Sequence, residues 1–327
     1  MLKIWNPEIF QGRNKKKEYF EGWYFKSVSK DEQTAYALII GVSITKELAN
    51  SHAFIMIMDA RNQLLHYFSY PLSSFWANND KFEIKIGNSF FSLNQIKLDI
   101  EEGETSVKGQ LEFENIVPWP VTRFSPGAMG FFAFIPFLEC YHGVLSFNHK
   151  INGYLTVNNN KIDFTGGKGY IEKDWGSSMP SSWIWMQTNH FDEDGISLFG
   201  SIAKIPWLGS YFTGYIFGLA YNERIYKFTT YNRSKIENLN VTDENIEVKI
   251  VDKKYILEIS ALRAEGVDLP APKLGEMTSK VNESLKSTIN IKLFQKGKNA
   301  NKLLYKGTGR NAGLEFVGDL EELLKGF

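Results

Sequence analysis

At 327 residues the chain is long enough for two domains or one large one. Lys plus Arg number 37 and Asp plus Glu number 37, so the formal charge is zero. That argues against nucleic acid as a partner, because neutralising phosphates takes a basic excess or stripe. A single cysteine, Cys140, excludes an internal disulfide and fits a reducing compartment.

The N-terminus, Met1-Leu-Lys-Ile-Trp-Asn-Pro7, lacks the apolar core of a signal peptide, so a cytoplasmic location is expected. The basic run Arg13-Asn-Lys-Lys-Lys17 reads as a solvated loop. A transient membrane contact for collecting substrate stays open. Phe20-Glu-Gly-Trp-Tyr-Phe25 follows, with Glu21 flanked by rings. Glu21 is either a shielded acid of raised pKa or a structural acceptor paired with a cation. Ala35–Ile40 and Ala53–Met58 read as buried strands, and Lys81–Ile86 and Ser106–Phe113 as alternating ones. The apolar run Met129–Leu138 is too short to span a bilayer and is broken by Pro136. Asn152–Val157, Asn158-Asn-Asn160 and Lys161–Phe164 form a hairpin with an Asn-rich turn.

After Thr165-Gly-Gly-Lys-Gly169, whose glycines permit a change of direction, comes the richest stretch of the chain. Tyr170-Ile-Glu-Lys-Asp-Trp-Gly176 and Trp183-Ile-Trp-Met-Gln-Thr-Asn-His-Phe191 read as two strands. Alternation puts Tyr170, Glu172 and Asp174 on one face of the first, and Trp183, Trp185, Gln187 and Asn189 on one face of the second. Indoles and amides beside acids suit a small hydrophobic ligand with a polar end. Equally, the acids could form salt bridges and the amides could bond to neighbouring backbone. Gly195–Ile202, Gly214–Tyr221, Arg224–Phe228, Ile246–Ile250, Tyr255–Ile259, Ser287–Phe294 and Asn301–Tyr305 continue the strand pattern. Thr278–Leu285 reads as one or two helical turns, and Asp319–Lys325 as an amphipathic helix with a capping Asp.

Many short strands and few helices predict an all-β architecture of barrel or sandwich type, with no Gly-rich phosphate loop and so no nucleotide cofactor. His52, His66, His142, His149 and His190 stand in no metal-binding spacing, and no metal is expected. His142, in Glu139-Cys-Tyr-His-Gly143, is the best single histidine for acid–base work.

The two motifs Phe20–Phe25 and Tyr170–Gly176, continued by Pro180 and Trp183–Phe191, resemble the tocopherol cyclase family; Leu269-Pro-Ala-Pro272 and Glu283-Ser-Leu285 match more weakly. Plant members close the chromanol ring of vitamin E, and the family is related in fold to carotenoid hydratases. The resemblance implies two lipocalin-like (calycin-type) antiparallel β-barrel halves, placed here at 1–165 and 166–327. It implies protonation of an isoprenoid alkene and capture of the cation by a phenol, an isomerisation that needs no redox cofactor. On this view Glu172 is the acid, with Glu21, His142 and Asp174 as further candidates. Asp174 departs from the family, standing where the plant enzymes carry Asn. Trp23, Trp175, Trp183 and Trp185 would line the ligand, and Gln187 and Asn189 would orient its hydroxyl. A non-catalytic isoprenoid carrier and a hydratase are the alternatives.

Overall fold

The computed structural model describes residues 3–207 and 209–325. They form antiparallel β-structure in two sheets, the two lipocalin-like halves expected from the sequence. The first sheet contains β1 (Tyr19–Val28), β2 (Ala35–Ile44), β3 (His52–Asp59), β4 (Leu64–Pro71), β5 (Phe75–Ala77), β6 (Glu83–Ile86), β7 (Ser89–Ser92), β8 (Gln95–Glu102), β9 (Thr105–Glu114), β10 (Cys140–Val157), β11 (Asn160–Asp163) and β12 (Gly167–Gly176). Its hydrogen-bonded order is β4-β3-β2-β1-β12-β10-β9-β8-β7-β6-β5, with β11 on β10. The path is barrel-like rather than a closed ring of hydrogen bonds. It curls about one core, in which Trp23 of β1 stacks on Phe82 beside β6 at 5.7 Å.

The second sheet contains β13 (Trp183–Thr188), β14 (Ser197–Trp207), β15 (Ser210–Tyr221), β16 (Arg224–Thr229), β17 (Lys235–Val241), β18 (Asn245–Val251), β19 (Tyr255–Leu262), β20 (Val267–Lys273), β21 (Glu276–Gln295) and β22 (Lys302–Val317). Its order is β16-β15-β14-β13-β22-β21-β19-β18-β17, with β20 on β21. Its core gathers Ile184, Met186, Phe217, Leu257 and Leu314. The helix Leu320–Leu324 ends the described chain, and Asp319 caps it by accepting from the Glu322 N–H.

The chain divides into Met1–Met179 with Pro270–Lys280, and Pro180–Leu269 with Val281–Phe327. A boundary at 165 would cut β12 away from both its partners, β1 and β10. The glycines read as a joint have another use. A Cβ at Gly167 would meet the Val28 carbonyl, and one at Gly169 the His149 ring. The expected turns at Thr278–Leu285 are instead part of β21. The Asn-rich hairpin forms as read, with Asn158 and Asn159 in the left-handed region that such a turn needs.

Candidate functional site

Pleating sends neighbouring residues of β12 to opposite faces. On the core face, Lys173 lies fully buried and pairs with Glu21 at 2.5 Å, opposite Trp23 in register. The ammonium also donates to the Pro7 and Ile9 carbonyls, both at 2.7 Å, and sits 4.5 Å from the Trp23 ring and 4.8 Å from the Trp175 ring. Burial pushes its pKa down, and the Glu21 charge opposes that. Glu21 accepts from the Gln11 and Gly12 amides and from the Tyr19 hydroxyl. Glu21 thus has the cation partner that the second alternative calls for. Trp23, expected to touch ligand, is a core residue whose indole donates to the Glu8 carbonyl at 2.9 Å. Trp175 stacks on Tyr141 at 5.6 Å, and the cation it faces is that of Lys173.

The other face of the same three strands carries a different set. Register places Tyr24 beside Glu172, Lys26 beside Tyr170, and His142 beside Asp174. The His142 Nδ1 lies 2.9 Å from Asp174 Oδ1, and its Nε2 lies 3.8 Å from Glu172 Oε2. Tyr170, wholly buried, donates its hydroxyl to the same Glu172 oxygen at 2.6 Å. Burial alone would lower the pKa of His142. The charges of Asp174 and Glu172 and the bond to Asp174 outweigh it and raise the imidazole to about 9. At neutral pH His142 is thus a cation between two carboxyl groups. Burial and the Glu172 carboxylate push the Tyr170 phenol well above its ordinary range. Cys140 lies at the margin, its Sγ 3.9 Å from Asp174 Oδ1, and burial pushes its thiol up, away from the thiolate form.

His142, Glu172 and Asp174 each present one ligand-type atom, all within 4.8 Å of one another. A divalent cation could use that spacing only after the His142 proton is lost. Spacing along the sequence hides this grouping, because two strands supply it.

In the second unit, Ile184 and Met186 enter the core, so Trp183, Trp185 and Gln187 share the opposite face of β13. All three are buried, and so is Asn189 just beyond the strand. Trp183 donates its indole N–H to Glu315 at 2.6 Å, and Glu315 is the register partner of both Trp185 and the buried Glu283. The Trp185 ring covers Gly313, where a Cβ would overlap it. Sequence reasoning singled out neither Glu315 nor Tyr24, Lys26 and Tyr170 as site residues. Only for Tyr170 was a signal present, its period-two spacing from Glu172. A separate cleft of about 490 Å³ in the first unit has Ser43, Thr45, His52, Tyr67, Met277 and Glu276 on its walls and shares no residue with these groups.

The comparisons with known proteins agree with this architecture. A probable chloroplastic tocopherol cyclase of Oryza sativa subsp. japonica is 20% identical over an alignment of 363 residues that covers 92% of this chain and 75% of the rice protein. The chloroplastic tocopherol cyclase of Zea mays matches at the same identity and coverage. Among solved structures, CghA in its crystal structure with Sch210972 is similar, with a TM-score of 0.58 at 9% identity, covering 92% of this chain and 89% of that one. A protein described as a putative AttH from Nitrosomonas europaea gives 0.52 at 12% identity, covering 91% and 92%. At such identities these two likenesses show the fold alone. The tocopherol cyclase-like family model matches residues 91–318, well over half of the sequence, and the chain belongs to that family.

Proposed function

We propose that the protein protonates the alkene of a prenylated hydroquinone and closes it to a chromanol, with the His142–Glu172–Asp174–Tyr170 cluster moving the proton. The observation that carries this is the His142 ring between two carboxyl groups, 2.9 Å from Asp174 and 3.8 Å from Glu172, on a largely buried strand face beside a tyrosine hydroxyl. Protonating an alkene needs an acid shielded from water, and capture of the resulting cation needs a phenol nearby. The His142 imidazolium passes its proton through the Glu172 carboxyl group to carbon, and Asp174 holds the neutral ring that remains. Tyr170 fixes the carboxyl group by donating to it. The phenol that attacks the cation loses one proton, which returns to the cluster, so turnover consumes nothing. Membership in the family and its plant relatives supports a hydrophobic, isoprenoid-tailed substrate.

The test is incubation with prenylated hydroquinones in heavy water, read by mass spectrometry. A ring-closed isomer carrying one carbon-bound deuterium is expected. Glu172→Gln should cut its formation by about 10²–10⁴-fold with the fold intact. Undiminished turnover in that variant would remove Glu172 from the mechanism. A product heavier by one water would mean hydration, and binding without label would mean carriage.

A further inference from the structure

We infer that residues 121–137 form a surface that docks on a phospholipid bilayer. In a soluble loop large apolar side chains turn in and small residues turn out. Here the order is inverted. Pro126, Gly127, Ala128 and Gly130 are buried, while Val121, Phe124, Phe131, Phe134 and Phe137 are exposed. Phe137 is 98% exposed and Phe124 77%. Exposed rings crowded into so short a stretch mark an interaction site rather than ordinary surface.

The segment holds these rings in place. Thr122 and Ser125 exchange backbone hydrogen bonds, Gly130–Phe134 forms a 3₁₀ turn, and Gly127 and Gly130 take positive φ. Phe137 itself has φ +66°, a left-handed conformation that an aromatic residue adopts only under constraint. The Tyr141 hydroxyl bonds to the Ile135 carbonyl, and Trp5 packs edge-on to Phe134 at 5.6 Å, its indole donating to the Arg123 carbonyl.

Charge selects a bilayer over a protein partner. Between Glu114 and Glu139 the sequence has no acidic residue and a single charged one, Arg123, whose exposed guanidinium lies 5.7 Å from the Phe124 ring. Rings that insert below the headgroups, with a cation level with the phosphates, fit an anionic lipid surface. None of these residues belongs to the proton cluster, so the inference stands apart from the proposed chemistry.

Co-sedimentation of the full chain with vesicles of phosphatidylcholine, alone or mixed with phosphatidylglycerol, tests it. The chain should partition onto the vesicles, more strongly onto the mixed ones. Replacing Phe124 and Phe137 together by Ser should weaken partition by roughly tenfold per ring, with the thermal midpoint unchanged because both side chains are exposed. Arg123→Gln should weaken only the added binding to anionic vesicles. A chain that stays in the supernatant with both vesicle types, or a double variant that sediments like the original, overturns the proposal. So does concentration-dependent self-association abolished by the same Phe substitutions without any vesicle binding, which would assign the surface to a second copy.

Discussion

His142 and His149 sit on one strand, β10, and face opposite sides of the sheet, since their β12 partners are Asp174 and Gly169. Their environments differ as much as their directions. His142 has two carboxyl groups within 4 Å and is held charged. His149 touches Phe113, bonds through Nδ1 to Ser146 at 2.9 Å, and lies over the bare Cα of Gly169. Burial lowers its pKa to about 3, so it stays neutral. The same contrast separates the adjacent residues Lys173 and Glu172. One is pinned by an ion pair and two carbonyls; the other shares its oxygen between a phenol and an imidazolium. Burial by itself therefore does not mark a reactive group in this protein. A buried charge ringed by backbone partners fixes structure, whereas one among titratable side chains can exchange protons.

The largest break in that contrast comes from the core face. Lys173→Met leaves Glu21 buried without its cation and should cost about 3–5 kcal/mol, read as a fall in the urea midpoint. Adding Glu21→Gln to it should recover part of the loss, because the pair is then removed together. A smaller effect is expected at Gly169. Gly169→Ala drives a methyl group into the His149 ring and should cost about 1–3 kcal/mol by the same measurement, and shortening the ring in Gly169→Ala/His149→Ser should relieve the clash.

The pH dependence, with a slope of at most about 1.4 kcal/mol per pH unit for each group, sharpens the contrast through its sign. The pKa of His142 is raised, so its contribution is complete below the unfolded value of 6.5 and disappears as pH climbs toward 9. The pKa of His149 is depressed, so the folded state loses ground as pH drops from 6.5 toward 3. Chemical unfolding across pH should give a dome. His142→Gln should flatten its alkaline limb and His149→Gln its acid limb. If both variants leave the same limb unchanged, the opposed titration is absent.

Much of this was legible in the sequence. The short alternating strands, the Asn hairpin and the Asp319 cap each carry a local signal that packing does not override. Thr278–Leu285 misled because Glu283 occupies a buried strand position between Val281 and Leu285, so a charge hides the period-two pattern. Face-sharing by Tyr170, Glu172 and Asp174 was readable from parity alone. Their company was not. His142 arrives from β10 and Lys26 from β1, and pairing between distant strands leaves no trace in local spacing. Glu21 and Lys173 could each be read as a salt-bridge partner, but only register shows that they meet.

The position of β12 also sets an order of events during synthesis. It is the twelfth strand made, yet it fills the gap between β1 and β10 near the middle of the first sheet. Until residues 167–176 leave the ribosome, one edge of β1 has no partner and Glu21 has no cation. A nascent chain at that stage exposes an apolar strand edge, the kind of template on which chains mispair. A chain interrupted before Gly167 would be expected to depend on chaperones or to aggregate, even with eleven strands already complete.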